Sequence, residues 1–187
     1  DPARTSPYSF YQFWLNTADA DVYKFLRYFT FLSMERIKQI EAEDRASGGR
    51  PQAQRILAEE VTRTVHGTEG LIAAQNITEA LFSGDTTRLS EADLQQLKQD
   101  GMPYTCLVRS ELHQKTFIQH LVDSGVAASG KQIKDALARG AVVINSLPVS
   151  SEHNTAPEQC FASSRAMYSR YYLAKLGKKT YHLFEVL

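Results

Sequence analysis

A chain of 187 residues, 43% hydrophobic and 22% charged, has room for one domain or two small ones, each with a usable core. Its 21 Lys+Arg and 21 Asp+Glu cancel, yet residues 1–106 hold 11 basic against 15 acidic side chains and residues 107–187 hold 10 against 6, balances of −4 and +4 that point to an anion-binding second half. No apolar run reaches the ~20 residues that span a bilayer, the acidic, proline-containing start is not a signal peptide, and Cys106 and Cys160 stand outside any Cys-x-x-Cys pair, so a reduced, cytoplasmic protein without membrane contact is expected.

The first half reads as helices. Ser6-Pro7 is a start signal, with Ser capping and Pro at the first helical position, and the helix carries Tyr8, Tyr11, Phe13, Trp14 and Leu15. A second helix is expected from Asp19, which caps it, with Asp21 in its first turn and Val22, Phe25, Leu26 and Phe29 on one face. Ser33 caps a third, with Met34, Ile37 and Ile40 inward and Gly48-Gly49 as its stop. Pro51 opens a fourth, with Ile56, Leu57, Val61 and Val65, stopping at Gly67 after His66, where a partly cationic imidazole suits the helix dipole. A fifth carries Leu71, Ile72, Ile77, Leu81 and Phe82 to Gly84, and Ser90 with Asp93 starts a short sixth. Asp100-Gly101-Met102-Pro103 breaks the pattern and places a linker at 99–110.

Beyond it, helices are expected over Glu111–Asp123 and Ser129–Arg139, the second stopped by Gly140. Ala141-Val142-Val143-Ile144 is a strand leading to a turn at Asn145-Ser146. Tyr168–Lys175 and Lys179–Val186 are two more strands around Leu176-Gly177-Lys178. The fold class is α+β overall: an all-α helical bundle over 1–98, the linker, and a small α+β module over 111–187.

Several chemistries are excluded. His113 and His120 lie two turns apart without a third zinc ligand. Glu59 and Glu60 are adjacent and face different ways, wrong for a cooperating acid and base. No Gly-rich loop joins a strand to a helix around a phosphate. The signal that remains is cationic: Lys131, Lys134 and Arg139 punctuate one helix, and Arg170, Lys175, Lys178 and Lys179 surround the final turn, a pattern that suits phosphates but equally a solvated face. Tyr171, Tyr172 and Tyr181 suit base stacking or, more commonly on strands, a core. Asn16, Asp19 and Asp21 lie at a helix junction, placed either to accept hydrogen bonds from base edges or to cap.

The segment Ser6-Pro7-Tyr8-Ser9-Phe10-Tyr11-Gln12-Phe13-Trp14-Leu15-Asn16, with Asp19-Ala20-Asp21-Val22 and Phe29-Thr30-Phe31-Leu32-Ser33, closely resembles the stretch just after the catalytic domain in bacterial tyrosyl-tRNA synthetases. Leu57–Arg63 with Val65-His66-Gly67, and Ile77–Gly84, repeat the match in order. Residues 125–145 resemble an RNA-binding module of the ribosomal S-four-like type that ends these enzymes, and Arg170–Tyr181 resembles its closing basic hairpin. The resemblance implies an anticodon-binding bundle and a module that clamps tyrosine tRNA between its anticodon arm and long variable arm. It places tyrosine, ATP and Mg in a catalytic domain whose His-Ile-Gly-His-like and Lys-Met-Ser-Lys-Ser-like motifs this sequence lacks. The piece is then inactive alone, needs no cofactor and is mostly monomeric, whereas the intact enzyme is a homodimer. Part of the aromatic cluster would pack on that catalytic domain. Ser129 stands where the family often has arginine, losing a phosphate partner, and Asn145-Ser146-Leu147 replaces Asn-Gly-Glu, removing glycine where a tight turn needs positive φ. A freestanding module for structured RNA and a protein-interaction bundle without an RNA role remain as alternatives.

Overall fold

The computed structural model describes residues 5–48 and 51–187. The chain divides into two compact units, Asp1–Glu79 and Ala80–Leu187, and the architecture is α+β.

The first unit is helical. Ser6 caps α1 (Pro7–Leu15) by accepting the Ser9 N–H at 3.0 Å. Asp21, not Asp19, occupies the N-cap position of α2 (Val22–Phe29), without a side-chain cap bond, so the expected cap shifts by two residues. Ser33 caps α3 (Met34–Ser47), which ends at Gly48 with φ 55°; Gly49 lies outside the described residues. The long α4 (Ala53–Ser83) leaves helical geometry at Gly67, φ 73° and ψ 178°, a conformation essentially reserved for glycine. Asp44 of α3 accepts the N–H groups of Gln52 and Ala53 at 2.8 and 3.2 Å, which caps the start of α4, and also takes the Tyr23 hydroxyl at 2.9 Å.

Two clusters hold the unit: Val22, Leu26, Ile37, Ile40, Ala53, Leu57 and Val61 in one, and Tyr11, Ala58, Leu71 and Ala74 in the other. Trp14 packs against both and meets Phe10 and Phe25 edge-on. The periodicity overstates the inward faces, since Phe13, Met34, Val65, Ile72 and Phe82 are exposed. His66 stands edge-on to Phe10 at 5.1 Å, and burial lowers its pKa, so desolvation disfavours the cation expected from the helix dipole.

In the second unit, after the end of α4 and a 3-10 turn (Thr86–Arg88), comes α5 (Glu91–Gln99), where Ser90 and Asp93 form the expected capping box. It carries a five-stranded sheet, order β1-β5-β4-β2-β3: β1 (Tyr104–Leu107), β2 (Val142–Ile144), β3 (Leu147–Pro148), β4 (Tyr171–Leu176) and β5 (Thr180–Val186). The segment read as a linker at 99–110 contains β1, paired in parallel with β5 from Tyr104↔Leu183 to Leu107↔Val186. The helix expected over Glu111–Asp123 is a 3-10 stretch, Arg109–Gln114, and then α6 (Phe117–Asp123), opened by a Thr116–Gln119 capping box. Ser129 caps α7 (Gly130–Ala138), and a short α8 spans Pro157–Cys160.

Strand alternation divides the contacts of the sheet. Tyr172, Ala174, Leu176, Phe184 and Val186 join a core with Phe117, Leu121, Ile133, Leu137 and Phe161. Tyr171, Tyr181 and Glu185 instead engage the segment 81–99: Gln95 bonds the Tyr171 hydroxyl, Tyr181 donates to the Leu81 carbonyl at 2.6 Å, and Lys98 lies 3.5 Å from Glu185. Residues 168–169 are not strand but a turn with φ 50° and 65°. Asn145 and Ser146, φ 47° and 65°, make the two-residue turn between β2 and β3 without glycine. Ser146 Oγ donates to the Gly84 carbonyl at 2.9 Å and takes the Thr86 N–H at 2.9 Å.

Candidate nucleic-acid interface

Helix α7 turns Ile133, Ala136 and Leu137 inward, leaving Lys131, Lys134 and Arg139 exposed. Arg139 bends back, its Nε donating to the Asp135 carbonyl at 3.1 Å. Gly140, at φ 64°, stops the helix, and the next carbonyl, of Ala141, accepts the Gly177 N–H at 2.8 Å. That bond holds the β4–β5 hairpin tip against the C-terminal end of α7. Lys178 and Lys179 sit exposed on this tip, so Arg139, Lys178 and Lys179 belong to one end of the unit. Among the described residues no ion pair engages Lys131, Lys134, Lys178 or Lys179.

The remaining cations read from the sequence are engaged. Arg170 pairs with Glu91 at 2.8 Å and Glu185 at 3.5 Å and lies 4.9 Å over the Tyr171 ring. Lys175 lies 5.3 Å over the Tyr181 ring. Glu185, 8% exposed, anchors the network: the Tyr104 hydroxyl donates to it at 2.6 Å and, with Lys98 and Arg170 nearby, holds its carboxyl below the usual range. Arg170 and Lys98 therefore serve the fold first. Tyr171 and Tyr172 are buried, which settles those two rings as core.

In the first unit the structure joins two of the three candidates. Asn16 and Asp19 line a cavity of about 710 Å³ with Thr17, Gln52, Gln54 and Arg55, while Asp21 lies outside it. Asp19 accepts from Gln54 Nε2 at 2.6 Å and Asn16 Nδ2 donates to the Gln12 carbonyl at 2.7 Å. The amides and the guanidinium supply donors beside a carboxylate, the mixture that reads base edges. Gln52, Gln54 and Arg55 were invisible as site residues because only the packing of α4 brings its start to the α1–α2 loop. Among the described residues no cluster of three His, Cys, Asp or Glu side chains suits a metal, and no helix is long and apolar enough to cross a membrane. Both cysteines are free, and burial pushes the Cys160 thiol to about 12.

The family profile for class I tRNA synthetases (W and Y) matches residues 1–83, and the profile for the tyrosine–tRNA ligase SYY-like C-terminal domain matches residues 93–184. Tyrosine–tRNA ligase 1 of Vibrio vulnificus is 49% identical over 186 residues, covering 100% of this chain and 42% of the relative. The chain belongs to the tyrosyl-tRNA synthetase family. Tyrosine–tRNA ligase of Salmonella paratyphi B is likewise 49% identical over 183 residues, 98% of this chain and 41% of the relative. The chain thus spans about two fifths of the length of these curated tyrosyl-tRNA synthetases. Among solved structures, a C-terminally truncated Aspergillus nidulans mitochondrial tyrosyl-tRNA synthetase has a TM-score of 0.40 and 34% identity, covering 44% of this chain and 24% of that one.

Proposed function

We propose that this chain is the tRNA-binding C-terminal portion of a tyrosine–tRNA ligase. The observation that carries the reading is the unpaired quartet Lys131, Lys134, Lys178 and Lys179, held on α7 and the hairpin tip of a chain 49% identical throughout to such ligases. Unpaired surface lysines are available to replace the counterions of a phosphate backbone. The α+β unit, in this reading a module of the ribosomal S-four-like type, engages tyrosine tRNA between the anticodon arm and the variable arm. The helical unit engages the anticodon arm, with Asn16, Asp19 and Gln54 offering hydrogen bonds to base edges. Binding energy spent here orients the acceptor end in the catalytic domain of a homodimeric enzyme, where ATP and Mg act.

Affinity for bacterial tyrosine tRNA, measured against salt beside a tRNA with a short variable arm, tests the proposal. Tighter binding to the tyrosine tRNA is expected, and Lys178→Ala/Lys179→Ala should lower the salt slope by about 2. Equal binding to both tRNAs would point instead to a general RNA module. No binding at low salt would refute the reading.

A further inference from the structure

A cavity of about 260 Å³ in the second unit is lined by Thr87, Leu89, Asn145, Arg165, Met167 and Tyr168, none of them among the cations and polar groups assigned above. Arg165 is its one charged side chain. Its Nη1 is buried without a hydrogen-bond partner, and among the described residues Arg165 forms no ion pair. A guanidinium N–H without an acceptor is costly, so an oxygen brought into the cavity, by water or by a ligand, stabilises this corner of the fold. The lining side chains are directed elsewhere and none accepts from Nη1. The Asn145 amide is spent on the Arg165 and Tyr171 carbonyls at 2.7 and 3.0 Å and on the Leu173 N–H at 2.7 Å, and the Thr87 hydroxyl is given to Asp85 at 2.5 Å.

Tyr168 completes the site. Its ring is 48% exposed, and its hydroxyl donates to the Leu89 carbonyl at 3.0 Å, which pins the ring in place. The backbone holds Tyr168 and Ser169 at φ 50° and 65°, an unfavourable conformation for a bulky residue, clamped by mutual bonds between Met167 and Tyr171 at 2.8 and 2.9 Å. A ring fixed in advance loses little freedom when a flat partner settles on it. Met167 and Leu89 add apolar surface beside it.

We infer that this cavity receives one unpaired nucleotide of the bound RNA, its phosphate accepting from Arg165 and its base lying against the Tyr168 ring. The inference rests on the RNA-binding reading and adds a stacking contact to the lysines and polar groups assigned above. Affinity of the 187-residue chain for a bacterial tyrosine tRNA transcript, measured against salt concentration, tests it. Arg165→Met should weaken binding about 10-fold and lower the salt slope by about 1, while Arg165→Lys keeps the slope. Tyr168→Asn, chosen because asparagine tolerates left-handed φ, should weaken binding by about 5- to 100-fold with the slope unchanged, since stacking releases no counterions. Tyr168→Phe keeps the ring and should stay within about threefold of the unaltered chain. Unaltered binding by both Arg165→Met and Tyr168→Asn, while Lys178→Ala/Lys179→Ala weakens it, overturns the cavity and leaves the RNA reading standing. Absence of binding by the unaltered chain overturns both.

Discussion

Replacing Ser146 sets two physical effects against each other. Ser146 holds φ 65° in a two-residue turn, where a side chain costs about 1–2 kcal/mol relative to glycine. Glycine gives back about 0.5–1 kcal/mol of this advantage through its greater freedom in the unfolded chain. Against that net gain stand the bonds of the hydroxyl: to the Gly84 carbonyl at 2.9 Å, from the Thr86 N–H at 2.9 Å, and with the Thr86 hydroxyl at 3.0 Å. Thr86 is buried, so its N–H, once unpaired, costs about 1–3 kcal/mol, whereas the Gly84 carbonyl is only half-buried and water recovers part of its loss. The hydroxyl wins. Ser146→Gly should cost about 1–2 kcal/mol, and Ser146→Ala, which loses the bonds and keeps the strain, about 2–3 kcal/mol. Urea unfolding of the sheet, followed by far-UV circular dichroism with hydrogen exchange at the Thr86 amide, reads both. If Ser146→Gly proves as stable as the unaltered chain, turn strain outweighs the hydrogen bonds and the reasoning fails.

His182 is buried beside the Phe184 ring, with Nε2 2.9 Å from Thr105 Oγ1, and burial holds its pKa at about 4 against the ordinary 6.5. Below 6.5 the unfolded chain takes up a proton that the folded one refuses, so stability should fall by up to about 3 kcal/mol as pH drops from about 6.5 to 4, with no contribution above that window. His182→Phe should remove this part of the slope in pH-dependent unfolding; an unchanged slope would refute the assignment. Gly67→Ala meets nothing within 4 Å of the added Cβ, so its effect is confined to the backbone at φ 73° and ψ 178°: a loss of about 1–3 kcal/mol is expected from unfolding followed by Trp14 fluorescence, and no loss would mean that α4 bends elsewhere without strain.

The features legible in the sequence are those whose physics is local. Ser6-Pro7, Ser33 and the Ser90–Asp93 box act within one turn, and Gly48, Gly140 and Gly177 meet positive φ where each element stops or turns. The hidden features depend on partners far along the chain. Tyr104–Leu107 is four residues beside Gly101 and Pro103 and reads as a break, yet it becomes a strand because β5 offers it an edge almost 80 residues later. Asp19 has the composition of a cap, but Gln54 of α4 reaches it first. The missing glycine at 146 was legible as an anomaly; its remedy, a hydroxyl bonded to residues 84 and 86, lies 60 positions away.

The same distinction governs the candidate interface. A net charge of zero argues against a polyanion only while every cation counts equally, and the fold makes them unequal. Glu185 and Glu91 draw in Arg170, Glu185 draws in Lys98, and Arg109 is spent on the Phe161 carbonyl at 3.0 Å and the Tyr172 hydroxyl at 3.3 Å. Those groups, oriented and partly withdrawn from water, fasten the segment 81–99 and the core to the sheet. The negative charge of Glu91 and Glu185 is thereby consumed inside the unit. The lysines on α7 and the hairpin tip keep their full field toward solvent, where displaced counterions reward binding. Because Arg170 is ion-paired and the lysines are not, on the proposed reading neutralising Arg170 should cost stability before affinity, and neutralising Lys178 with Lys179 affinity without stability.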